Sequence, residues 1–215
     1  MALDKNELEQ FLTNALIKLP GASINGLKAE LYDVLKEFFS DSNTWQEDIE
    51  FIPVADQVDY VLTPLEDGQI IRLTGVWDNK GIPVPAFMRD FGTIRLVNAP
   101  SATGTATTKW FARVIKTVTL PTTKLNTPIA PVWALRVYSI HILDGLLGKM
   151  MEQQNKSFSN TTSAAYHLRR FRAGIQIART AMARANNVGA QTWSYPQGWG
   201  PGSQGSGGAG FPRGM

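Results

Sequence analysis

The side chains best suited to chemistry are two histidines and a run of arginines. His141 and His167 are the only histidines, and there is no cysteine. His141 and Asp144 stand three residues apart, so on a helix they share a face and can pair. No third ligand and no nucleophile accompanies them, so a hydrogen-bonded structural histidine is expected. His167 stands close to Arg169 and Arg170, whose charges oppose metal binding. Arg169, Arg170, Arg172, Arg179 and Arg184 then follow with no carboxylate between them. Arg169 and Arg172 share a face, with Arg170 about 100° round from Arg169. Two readings of these arginines stand side by side. Facing a nucleic acid, they would contact phosphates without reading bases. At a subunit interface, they would pair with carboxylates of a neighbouring copy.

Catalytic and nucleotide-binding motifs are not found. There is no Gly-x-x-x-x-Gly-Lys loop, no His-Glu-x-x-His and no nucleophile elbow. The glycines of the C-terminal segment do not sit between a strand and a helix, so they are no dinucleotide loop. The sequence therefore calls for no enzyme activity, no metal and no cofactor. Asn155-Lys-Ser157 and Asn160-Thr-Thr162 match a glycosylation pattern. Without a secretory signal at Met1-Ala-Leu-Asp-Lys-Asn6 they read as a loop and a helix cap. A cysteine-free chain suits folding in the cytosol. No apolar run approaches the roughly 20 residues that span a bilayer, so no membrane partner is expected.

The net charge of +3 hides a division. Past Glu152 there is no carboxylate, and Lys156, Arg169, Arg170, Arg172, Arg179, Arg184 and Arg213 give +7. The remaining 14 Lys and Arg stand against all 18 carboxylates. Such asymmetry fits an anionic partner such as nucleic acid, or self-association of basic end on acidic end.

The elements that must position the arginines are two helices between Pro131 and Ala185. In the first, Trp133, Val137, Ile140, Leu143 and Leu147 recur at the helical period and predict one buried face. Pro131 suits its first turn. In the second, from about Thr161, the set is Leu168, Phe171, Ile175, Ala178 and Met182, with Asn160 or Thr161 as cap. Glu152 to Ser159 is a short polar link, which makes the pair antiparallel. Two further helices are predicted over 6–19 and 24–39, the first ended by Pro20-Gly21 and the second by Ser40 to Asn43.

From Thr44 the apolar period falls to about 2. Five strands are predicted, near 45–52, 58–62, 69–77, 93–97 and 110–120, the last being the longest and covered on both faces. Gly68 and Asp78 to Gly81 mark turns, and Pro83 to Asp90 reads as an irregular connection. The expected class is α+β: a helical bundle of 1–43 and 131–186, an inserted antiparallel β-rich domain at 44–130, and an extended C-terminal arm at 187–215. The arm is rich in Gly, Pro and Ser, yet it carries Trp193, Tyr195, Trp199 and Phe211. Aromatics at such spacing suit an arm that orders on a partner surface.

The layout resembles the head-to-tail adaptor (connector, tail tubular) proteins of short-tailed, T7-like bacteriophages. The residues that carry the likeness are Leu19-Pro-Gly-Ala-Ser23, Trp45, Lys116-Thr-Val-Thr-Leu-Pro121, Pro131-Val-Trp133, Ile142 to Met150, Ser159-Asn160 and Asn186-Asn-Val-Gly-Ala-Gln191. The resemblance implies a non-enzymatic virion protein at the head–tail junction, assembled in the host cytoplasm. It implies a dodecameric ring that joins the portal protein to the tail nozzle protein. Genomic DNA would pass through its channel without sequence specificity. Arg169, Arg170, Arg172 and Arg179 would then line a subunit interface or the DNA channel, and the arm's four aromatics would bind the portal. The rival reading is a nucleic-acid-binding or filament-forming viral coat protein.

Overall fold

The computed structural model describes residues 5–65, 68–119 and 130–186. Helices and antiparallel sheets are both present, so the class is α+β. The helices are α1 Lys5–Lys18, α2 Ile24–Ser42, α3 Val132–Val137, α4 Ser139–Glu152 and α5 Thr161–Asn186. The strands are β1 Gln46–Phe51, β2 Asp59–Val61, β3 Gln69–Trp77, β4 Pro83–Val84, β5 Ala86–Asp90, β6 Thr93–Leu96 and β7 Trp110–Thr117. The expected arm with Trp193, Tyr195, Trp199 and Phe211 lies outside the described residues, as does the connection 120–129.

α2 shows how local chemistry sets an element. The Ser23 hydroxyl accepts the Gly26 N–H at 3.1 Å and caps its start. Leu27, Leu31, Val34, Leu35, Phe38 and Phe39 make its buried stripe. The helix runs three residues past the expected end, to Ser42, because the left-handed cap is Asn43 at φ 56. The N–H of Asn43 then closes on the Phe39 carbonyl. This stripe forms a core with Leu8, Leu12, Ile142, Leu146, Phe171 and Ile175, joined by the Trp45 ring 5.2 Å from that of Phe39.

The strands form two sheets, ordered β1-β7-β3-β4 and β2-β6-β5, with every pairing antiparallel. Their inward residues, among them Ile49, Ile70, Val76, Val114, Tyr60, Ile94 and Leu96, pack into a second core. The central strand β7 joins the sheets to α2. Thr117 Oγ1 donates to the Lys36 carbonyl at 3.2 Å, and Tyr32 Oη to the Val118 carbonyl at 3.4 Å. Beside this join Lys116 is 0 % exposed, its Nζ 2.6 Å from Glu47 Oε2 and 4.7 Å above the Trp45 ring. Glu47 Oε1 also accepts the Leu65 N–H at 2.6 Å, tying the loop after β2 to the same pair.

Three expectations are corrected. The helix beginning after Pro131 breaks at Tyr138, whose φ −115 and ψ 18 leave the helical region. The break resets the phase, so Val137 and Ile140 are exposed while Ile142, Leu146 and Met150 are buried. Pro83 to Asp90 is not irregular: it is β4 and β5, one in each sheet, with Pro85 between them where the chain changes sheets. Pro83 is tolerated because β4 is an edge strand. Seven strands are therefore found among the described residues, and β3, with nine residues, is longer than β7, with eight.

Candidate functional site

The arginines stand on α5, and α4 fixes its position. Asn160 Oδ1 accepts the Ser163 N–H at 2.9 Å and caps the start of α5. The turn before it is held by the Asn160 N–H on the Met151 carbonyl at 3.0 Å and by Ser157 Oγ on the Pro20 carbonyl at 3.0 Å. The two helices meet along glycines. A Cβ added at Gly148 would lie 2.7 Å from Leu168 Cγ, and one at Gly145 2.7 Å from Phe171 Cδ2. One at Gly174 would lie 2.5 Å from His141 Nδ1. Numbers rise along α4 as they fall along α5, so the pair is antiparallel.

One carboxylate is buried in this seam. Asp144, with a side chain 7 % exposed, holds His167 Nδ1 at 2.8 Å through Oδ1. Arg170 Nε lies 3.1 Å from its Oδ2, close enough for an ion pair. The N–H direction misses, so Oδ2 has no hydrogen-bond partner among the described residues. The Arg170 guanidinium also donates Nη1 to Tyr166 Oη at 3.3 Å and lies 5.6 Å from that ring. The Tyr166 hydroxyl first, and the Asp144 charge second, raise the Arg170 pKa above its ordinary value.

The expected pair of His141 with Asp144 is corrected by this geometry. Asp144 reaches across to α5, while His141 lays its ring against Gly174. His141 Nδ1 is buried without a hydrogen-bond partner among the described residues, so the expected hydrogen bond is not made there. The pocket left by a missing Cβ, rather than a polar partner, holds the imidazole. The signal for the true pair was in the turn: a hairpin folded midway between Glu152 and Ser159 sets residue 144 opposite residue 167.

The four candidate arginines do not behave alike. Arg170 is engaged by Asp144 and Tyr166. Arg169, Arg172 and Arg179 are exposed, as is Arg184, and no carboxylate of the described residues lies within 4 Å of any of them. Arg169 and Arg172 border an open groove of about 450 Å³ with Glu152, Thr161, Ala165 and Leu168. Arg172 also borders a groove of about 400 Å³ between α2 and α5, opposite Glu37 and Asp41. No protein-family model and no curated protein matches this sequence.

What the arrangement can do follows from its own side chains. Guanidinium forks give paired, directional donors to carboxylate or phosphate oxygens. Spread over the outward side of one helix, they suit an extended anionic surface. Among the described residues no group of three or more His, Cys, Asp and Glu side chains is placed to hold a metal. No described helix is long and apolar enough to cross a membrane.

Proposed function

We propose that this chain is a structural virion protein, a head–tail adaptor of a short-tailed bacteriophage. In this reading copies close into a dodecameric ring that joins portal to tail nozzle, with genomic DNA threading the ring. Residues 1–43 and 131–186 act as a helical body, 44–130 as an inserted β-rich domain, and 187–215 as an arm whose Trp193, Tyr195, Trp199 and Phe211 engage the portal. The chain has no catalytic task and needs no cofactor.

The observation that supports this most is the set of exposed arginines on α5. Arg169, Arg172 and Arg179 have no described carboxylate within 4 Å, on a helix that carries no acidic residue. Exposed like charges on one helix repel one another, and an anionic partner relieves that cost. A neighbouring copy or the phosphate backbone supplies such a partner, the latter without base specificity.

The purified full-length protein tests the reading. Native mass spectrometry and electron microscopy should find closed rings without nucleic acid. The triple change Arg169→Gln, Arg172→Gln, Arg179→Gln should weaken ring assembly or retention of DNA of any sequence. A chain that stays monomeric alone and with portal, or forms open filaments only with nucleic acid, would overturn the proposal; the filaments would favour a coat protein.

A further inference from the structure

Among the described residues, none covers the apolar side chains on the outward face of the β2-β6-β5 sheet. Tyr60, Ile94 and Met88 stand in one register row and turn inward to the second core. The alternate residues point the other way. Among them Val61 is 78 %, Phe87 51 % and Val97 59 % exposed, and Phe91, in the turn between β5 and β6, is 72 % exposed. A sheet face turned to water is ordinarily polar. Here four large apolar side chains ring one ion network. Asp59 accepts Arg95 Nε at 2.7 Å, Arg95 Nη2 at 2.6 Å and Arg89 Nη1 at 2.8 Å, and Asp90 Oδ2 lies 3.8 Å from Arg89 Nε, so two carboxylates match two guanidiniums within the face.

Exposed apolar groups so grouped mark an interaction surface. Its size narrows the occupant. Three strands about 4.8 Å apart, over four or five residues, offer roughly 250 Å². A stable contact between folded proteins takes about 800 Å² from each partner. The face is too small for a second folded copy and suits an extended segment. Because its charges are already matched, the complementary segment is aromatic and nearly uncharged, with rings for the two phenylalanines and for the exposed Arg89 guanidinium.

This chain carries one segment of that kind. Residues 192–215 hold Trp193, Tyr195, Trp199 and Phe211, and Arg213 is their only charged side chain. The 29 residues beyond Asn186 span up to about 100 Å when extended. A domain of this size is only about 40 Å across, so the segment can reach the face from the end of α5. We infer that residues 192–215 dock their aromatic side chains on the outward face of the β2-β6-β5 sheet, around Phe87 and Phe91. The adaptor reading gives the same aromatics to a portal; the sheet face holds them in the protein alone and yields them to that partner.

Cross-linking tests this on the full chain without any partner. A benzophenone amino acid replaces Phe91, an exposed position whose change leaves both cores intact. After irradiation, mass spectrometry should identify cross-links to peptides within 192–215. Trp193→Ser together with Trp199→Ser should cut their yield at least tenfold. Cross-links confined to other parts of the chain, no cross-links at all, or a yield untouched by the tryptophan changes would each overturn the inference. None of these outcomes depends on a ring or a portal, so this inference and the adaptor reading fail separately.

Discussion

Gly174→Ala sets two effects of opposite sign against each other. On an exposed helix the change gains about 1 kcal/mol, because alanine loses less backbone freedom than glycine. At position 174 the new Cβ would lie 2.5 Å from His141 Nδ1 and 2.6 Å from His141 Cβ. Turning the imidazole about χ1 does not move its own Cβ, so the clash is relieved only if α4 and α5 separate. Separation also opens the contacts of Gly145 with Phe171 and of Gly148 with Leu168. Overpacking of this kind costs about 3 kcal/mol at the upper end of its usual range, so the clash wins and the net loss is about 2 kcal/mol. For a chain of this length that lowers Tm by about 4–8 °C. His141→Gly removes the ring and its Cβ together, and in that background Gly174→Ala should be neutral or stabilising by up to about 1 kcal/mol. Urea denaturation of the four proteins, followed by tryptophan fluorescence, closes the cycle, with an expected coupling of about 2–3 kcal/mol. If Gly174→Ala stabilises the wild-type chain, or costs the same in both backgrounds, the helices do not meet as described.

Two further changes probe the sheets. Lys116→Met keeps the buried stem beside Trp45 and removes the cation from Glu47 Oε2, so it should destabilise the fold by about 3 kcal/mol. Adding Glu47→Gln should recover part of that in urea melts, and simple additivity would count against the pair. In the outward network, the hydrogen bond from Arg95 first, with the charges of Arg95 and Arg89, lowers the Asp59 pKa from its ordinary 3.8. The contribution of Asp59 to stability is then complete above that ordinary value and is lost as pH falls through the lower folded value. Carbon-detected NMR titration should place the Asp59 midpoint below 3.8 and move it upward in Arg95→Gln; an unmoved midpoint would refute the assignment.

Elements whose boundaries are set by their own residues were legible from sequence. β3 begins after Gly68 at φ 132 and ends at the Asp78 to Gly81 turn, both marked by residue type alone. α5 begins at a cap that any Asn before a helical period suggests. Elements set by contact were not legible. Nothing at Tyr138 breaks the helical period, and the break there belongs to a ring lodged 5.1 Å from Phe38 and 6.2 Å from Trp133. β4 was hidden because Pro83 argues against a strand until an edge position excuses the missing N–H. The candidate site divides the same way. Exposed arginines follow from helical phase, since Leu168, Phe171, Ile175 and Ala178 claim the other side of α5. The partner of Asp144 depends on which residue the facing helix brings opposite, and a period along one helix carries no such information. The sheet face that no described residue covers has the same origin. Alternation put Val61 opposite in sense to Tyr60, but it could not say that both senses would be apolar and only one covered by described residues. What a single chain's periodicity specifies is which residues share a face; which faces meet is decided by pairs of elements, and there the sequence offered only the short polar turn between α4 and α5.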